Sequence, residues 1–386
     1  MLGSKNAQEV RRQNRTLILE ILHSHSPISR SGMADVSGLT RATVTNIINE
    51  FIEVGLVEEV GKLDTPIGRK KRLLRLKKDA FYVIGADISR YKLRVGVFNT
   101  DAEPMRVLEE ETPIDKGKDE VIRALLEMIE TAMKTSGVPT RKIYGIGIGI
   151  PGPLDYKNGV VISPPRFENF TNVPLKKILE EKFRIKVWID NDANVAAMGE
   201  KWFGTGKKHE NFLFVIADIG IGCGIVINKR LYRGSLNGAG EVGHIPLVSN
   251  GDLQELESLA SLSNVPSIFK ARTKLDMKLD DIIKLSRKGE KNSLKVFEEV
   301  GRYIAVAVAT VVNILSPEMV IIGGRYVQVP GSLNIIKEVV EEFTFSQEKP
   351  KIVATELGEK AILLGAAALA LEEIVSNPYE LVLKGD

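Results

Sequence analysis

The chain has 386 residues, 44% hydrophobic and 27% charged, which excludes disordered and fibrous classes and leaves room for more than one core. One cysteine, Cys223, excludes an intramolecular disulfide and a multi-thiolate metal site; no apolar run is long enough to span a bilayer and no apolar leader opens the chain, so the cytoplasm is the expected compartment. The net charge of +3 is uneven: residues 1–78 hold 14 Lys/Arg against 8 Asp/Glu and the rest 39 against 42, as a polyanion-binding module on a mildly acidic body would.

Taken in order, Val10, Asn14, Leu17, Ile18, Ile21 and Leu22 predict one apolar stripe on a first helix that Pro27 stops. Ser29 is expected to cap a short second helix, and Gly38 to end it in the left-handed conformation. Thr40 then caps a third helix, with Val44, Ile47, Ile48 and Phe51 inward and Arg41, Thr43, Thr45, Asn46 and Asn49 outward. Two helices about a short glycine-containing turn make a helix-turn-helix, whose second member enters the major groove by its N-terminus. Arg41, Thr43, Thr45 and Asn46 are therefore the candidates for base edges. "LVEEVG" and "GRKKRLLRL" predict the strands of a wing. Seven of the ten residues from Arg69 to Lys78 are basic, and Arg69, Lys70, Lys71 and Arg72 are the candidates for phosphates. A packing or dimerisation segment with a solvated basic face is the bland alternative for the same residues.

From Phe81 the pattern turns β-rich. "FYVIGADISRYKLRVGVFNT" and "NFLFVIADIGIGCGIVINKRLY" both read as hairpins, and both contain Ala-Asp-Ile, at 86–88 and 217–219. The recurrence predicts an internal duplication in an α/β body. Between them "IYGIGIGIPGP" is a buried strand whose alternating glycines admit close backbone approach. "KVWIDNDANVAAMGE" sets Asn191, Asp192 and Asn194 between a strand and a helix, the carboxyl-end position where α/β sheets hold ligands; that Asp192 only caps the helix is the alternative. Glu241 and His244 sit three apart in "NGAGEVGHIPL", Glu257 follows in "LESLAS", and Gly323 and Gly324 form a turn after "SPEMVIIGG".

These segments, in this order, resemble the ROK family of repressors and sugar kinases over essentially the whole chain. "DNDANVAAMGE", "GAGEVGH" and "VNILSPEMVIIGG" carry the match in the body, and the winged segment resembles the N-terminal extension of its xylose-repressor-like and N-acetylglucosamine-repressor-like members. The resemblance implies a winged helix-turn-helix at 1–78 joined to a two-lobed actin-like fold of the sugar-kinase and Hsp70 type. Lobe 1 would span 79–190 and lobe 2 191–386, with the C-terminal helix packing back on lobe 1. It implies sugar contacts at Asn169, Asn191, Asp192, Glu241, His244 and Glu257, with Arg166, Phe167 and Glu168 shaping the same pocket. It places phosphate, magnesium and adenine near Asp87, Gly220, Gly222, Gly224, Gly323 and Gly324.

The chain departs from the family's kinases at the phosphates: Ile88, Ser89, Arg90 and Tyr91 follow Asp87 where a Gly-Gly-Thr turn is usual, and Asp218-Ile219-Gly220 replaces Gly-Thr-Gly. Bulk at the first turn and charge repulsion at the second are expected to exclude ATP. The cysteine-rich zinc loop is missing, so structural zinc is not expected. The resulting expectation is a homodimeric regulator of carbohydrate-utilisation genes that binds operator DNA and a monosaccharide and needs no cofactor. An active sugar kinase, with Asp192 as general base and Mg-ATP as cosubstrate, is the alternative.

Overall fold

The computed structural model describes residues 2–63, 71–165, 167, 169–249 and 251–376. The chain divides into two compact units, residues 1–195 with 362–386 and residues 196–361.

The first unit opens with α1 (Leu2–His25). Its buried stripe spans Arg15 to Leu22, and Val10, which its spacing assigns to that stripe, is 48% exposed. Ser29, at the end of the two-residue β1 (Ile28–Ser29), caps α2 (Arg30–Ser37) by accepting the Gly32 amide, and Gly38 closes that helix at φ 70°. Thr40 caps α3 (Arg41–Glu53) by accepting the Thr43 amide, and Val44, Ile47, Ile48 and Phe51 are all buried. β2 (Val57–Leu63) and β3 (Lys71–Leu76) pair antiparallel, with β1 on the other side of β3. The predicted caps, turn and wing strands are thus present.

The rest of this unit is built on β4 (Tyr82–Ile88), β5 (Lys92–Phe98), β6 (Pro104–Glu111), β7 (Ile143–Ile150) and β10 (Lys186–Asn191), in the order β10-β7-β4-β5-β6. A short pair, β8 (Leu154–Asp155) and β9 (Val160–Val161), lies between β7 and β10 in sequence. α4 (Lys118–Thr135) and α5 (Leu175–Phe183) supply the apolar cluster on the sheet. β4 is buried at every position rather than alternating. The reason is that α12 (Ala361–Ser376) covers it too: a Cβ at Gly85 would stand 2.5 Å from the Leu363 carbonyl oxygen, and one at Gly147 only 1.8 Å from that of Ala366. A sheet covered on both faces loses the polar half of its alternation.

In the second unit β11 (Phe212–Ala217), β12 (Ile221–Ile227), β13 (Arg230–Leu231), β16 (Met319–Gly323) and β17 (Lys351–Ala354) run in the order β13-β12-β11-β16-β17. Matched strand for strand, this is the order of the first sheet, with an antiparallel hairpin extended by parallel strands in both. The duplication suggested by Ala-Asp-Ile therefore extends to topology. α6 (Asp192–Phe203) leads into this unit, which also holds the β14 (Pro246–Ser249) and β15 (Asp252–Glu255) hairpin, α7 (Leu256–Ala260), α8 (Val265–Thr273), α9 (Leu279–Arg287), α10 (Lys291–Leu315) and α11 (Ser332–Phe343). Helices α7 to α11 pack with its sheet in one apolar cluster. Among the described residues no helix is long and apolar enough to cross a membrane.

Candidate DNA-binding and sugar-binding sites

Inward burial of four residues fixes the rotation of α3, so Arg41, Asn46 and Asn49 are exposed and Thr43 and Thr45 partly so. The Thr43 hydroxyl lies 2.9 Å from that of Thr40, Thr45 donates to the Arg41 carbonyl, and Arg30 donates to Asn49. Arg41 and Asn46 are thus the more exposed of the four candidates on this face. Arg15 donates twice to Glu50, at 2.7 and 3.0 Å, and Arg11 also binds it. Burial pushes the Glu50 carboxyl up, but the two guanidinium groups outweigh it and hold it below its ordinary value.

The wing carries its own counter-charges. Arg72 Nη1 donates to both Glu59 carboxylate oxygens, at 2.7 and 2.9 Å, Arg75 pairs with Glu58 at 2.7 Å, and Lys78 with Glu103 and Asp101. The basic run is therefore partly neutralised within the chain. Lys71 is exposed; Arg69 and Lys70 lie outside the described residues.

Among the sugar candidates, Asn191 ends β10 and Asp192 opens α6. Asn191 pairs in register with Ile150 at the end of β7, and Gly149 with Asp87 near the end of β4. Carboxyl ends of adjacent parallel strands thus bring Asp87, Asn191 and Asp192 to one edge of the sheet. The capping role belongs to Asn191, whose side-chain oxygen accepts the Asn194 amide at 2.7 Å, while Asp192 accepts the amide of Ala193 beside it. Asp190 orients the group from behind, accepting the Asn191 amide and the Asn194 side-chain amide. Asn169 is exposed at φ 58° between buried Phe167 and Phe170; Arg166 and Glu168 lie outside the described residues.

The second unit gathers Glu241, His244 and Glu257 around the 220–221 turn. Gly240 makes this possible, since its Cβ would fall 1.8 Å from the Cys223 carbonyl oxygen. Glu257 is half-buried and accepts the Ile221 amide at 2.9 Å. His244 is exposed and 3.1 Å from Glu255, which raises its pKa above the ordinary imidazole value. Glu255 was not among the candidates. Its place opposite Pro246 in the β14–β15 hairpin is what brings it to His244.

Both Ala-Asp-Ile aspartates are held by arginines. Arg94 donates to Asp87 at 2.9 Å and to Glu109 at 2.8 Å, with the Asp87 side chain 1% exposed. Lys92 and Arg94 together lower Glu109 to about 2. In the second unit the Arg325 guanidinium donates to Asp218 at 2.7 and 2.9 Å, its backbone amide reaches the other carboxylate oxygen, and Asp280 flanks it at 3.1 Å. Gly220 is exposed at the adjoining turn, Gly222 and Gly224 lie within β12, Gly323 ends β16 and Gly324 follows it at φ 86°.

Comparison with known proteins decides the family. The ROK family profile matches residues 83–373 and that of the MarR family residues 12–59. The chain belongs to the ROK family. It is 32% identical over 388 residues to the xylose repressor of Caldicellulosiruptor bescii, covering 95% of this chain and 97% of that one. A glucokinase of Thermotoga maritima is 30% identical over 318 residues, covering 98% of itself but 76% of this chain. In fold it matches the crystal structure of a ROK family transcriptional regulator, a homolog of the E. coli MLC protein, with a TM-score of 0.81, 24% identity and 97% and 98% coverage.

Arg94 occupies Asp87 and Arg325 occupies Asp218, the carboxylates beside the two turns where the chain departs from the family's kinases. The second turn was expected to present a bare, repulsive acid; in the structure Asp218 is instead paired with Arg325. Among the described residues no group of three or more His, Cys, Asp or Glu could hold a metal ion. Arg94 stands opposite Asp87 because the hairpin register sets Ile88 against Leu93, with residues 89–92 between them.

Proposed function

We propose that this ROK protein is a sugar-responsive transcriptional regulator, a repressor of carbohydrate-utilisation genes that binds operator DNA as a homodimer in the cytoplasm and takes a monosaccharide as effector. The observation that carries the reading is the exposed polar face of α3 on a capped, wing-flanked helix-turn-helix, in a chain that a xylose repressor matches nearly end to end. On this reading residues 1–78 bind DNA, 79–190 and 191–386 form the two lobes, and the C-terminal helix serves lobe 1. Arg41, Thr43, Thr45 and Asn46 read bases, while Arg69, Lys70, Lys71 and Arg72 meet phosphates, Arg72 by exchanging Glu59 for phosphate. Asn169, Asn191, Asp192, Glu241, His244 and Glu257 hydrogen-bond sugar hydroxyls. The ion pairs at Asp87 and Asp218 favour binding without phosphoryl transfer.

Two chains are needed because a helix-turn-helix reads one half-site, and paired half-sites lie about one helical turn, roughly 34 Å, apart. The test uses duplexes selected by the protein from a random-sequence library and followed by fluorescence anisotropy. A two-fold symmetric sequence should emerge. Arg41→Ala should cost about 1–3 kcal/mol and relax preference at one position, and Lys71→Ala should weaken all sequences alike and flatten the salt slope by about one. Selection of no sequence above background would refute the DNA-binding reading.

A further inference from the structure

The chain leaves the first unit inside α6 and re-enters it at the start of α12. One turn beyond Asp192, Val195 of α6 packs with Ala366 and Leu369 of α12, and Trp188 and Ile362 complete the same apolar cluster. Glycines of β7 hold this cluster tightly: a Cβ on Gly149 would meet Ile362 at 2.5 Å and Val195 at 3.2 Å, and one on Gly147 would strike the α12 backbone. Close-packed contacts of this kind pass on a displacement instead of absorbing it.

The far end of α12 reaches the N-terminal module. Arg12 donates to Glu373 at 2.8 Å, and the hydroxyls of Thr16 and Ser376 are 2.8 Å apart. Arg12 and Thr16 are four residues apart and share one face of α1. Arg11 and Arg15, each one residue earlier, occupy the adjoining face and grip Glu50 of α3, with the Arg15 and Glu50 side chains 8% and 13% exposed. α1 therefore has one face on the C-terminal helix and the next on the recognition helix. The α12 contact is made by polar pairs, of which Arg12–Glu373 is solvent-accessible. Such pairs exchange with water at little cost, as a contact with two arrangements must.

We infer that α12 and α1 connect ligand occupancy at the start of α6 to the placement of α3, and that Arg12, Thr16, Glu373 and Ser376 are positioning residues for the DNA response. This rests on the sugar-responsive reading above. The physical warrant is an unbroken series of contacts within one unit, running Asp192–α6–α12–α1–Glu50; coupling along it is what has to be measured.

The experiment compares wild type, Arg12→Ala/Thr16→Val and the charge swap Arg12→Glu/Glu373→Arg. DNA affinity is measured with and without D-xylose, D-glucose, D-mannose and N-acetylglucosamine, and sugar affinity by calorimetry. Coupling between two sites is typically about 5–150-fold. In the double variant the wild-type ratio of affinities should fall about fivefold or more, with sugar affinity unchanged, and the swap should restore much of it. A double variant that keeps the full ratio, or loses DNA affinity equally with and without sugar, overturns the route and leaves the regulator reading standing. A wild-type DNA affinity indifferent to all four sugars overturns the sugar-responsive reading itself, and the route with it.

Discussion

The two Ala-Asp-Ile hairpins begin from the same three residues and the same strand order, yet they secure their aspartates differently. Asp87 lies within its strand, 1% exposed, and its arginine comes from the residue directly opposite. Asp218 lies one residue past its strand, keeps about a quarter of its side chain exposed, and takes Arg325 from the turn after β16. The duplicated framework thus places a carboxylate at the same point twice, and local context supplies the counter-charge. The first pair is a buried fixture of the sheet, while the second is a partly wet pair in a loop.

That contrast is sharpened most by removing each arginine. Arg94→Ala strands a buried carboxylate and should cost about 3–5 kcal/mol in urea unfolding, against about 1–3 kcal/mol for Arg325→Ala. Equal losses would mean that the two pairs are energetically alike despite their burial. The glycines extend the comparison: Gly147→Ala drives a methyl into the Ala366 backbone and should cost about 3 kcal/mol, whereas Gly323→Ala meets the buried Phe214 ring, a side chain and not backbone, and should cost about 1–2 kcal/mol.

Smaller effects are expected at the proposed sugar contacts. Asp192→Asn removes a charged acceptor and should weaken sugar binding by about 10- to 100-fold in calorimetry, with thermal stability little changed. The smallest effect concerns pH. His244 carries a raised pKa because it bonds Glu255, so the bond's contribution is complete below about 6.5 and is lost as pH rises through the elevated value. An NMR titration should find the imidazole above its ordinary midpoint, and Glu255→Gln should bring it back down.

Much of this was legible in the sequence where the signal is local. Ser29, Gly38 and Thr40 mark helix boundaries through their own backbone or side-chain chemistry, and the repeated Ala-Asp-Ile announced the second hairpin. Signals that depend on distant partners were not legible. The glycines of β7 promise close approach but do not say that α12 is what approaches. The basic run from Arg69 to Lys78 reads as open positive charge until Glu58, Glu59, Asp101 and Glu103 fold against it. Asp218 reads as a bare repulsive acid, because nothing within a hundred residues shows Arg325. Asp192 was ambiguous between cap and ligand group, and only the fold shows that the capping falls to Asn191 instead.

The central claim is that the body of this protein senses a monosaccharide without phosphorylating it. Its most direct test is calorimetric titration of the full chain with D-xylose, D-glucose, D-mannose and N-acetylglucosamine, in the presence and absence of Mg-ATP, with product analysis of each mixture. The account predicts saturable binding of one sugar, unaltered by Mg-ATP and with no sugar phosphate formed. Turnover of that sugar to a phosphate ester, lost in Asp192→Asn, would contradict it and make the chain a kinase first.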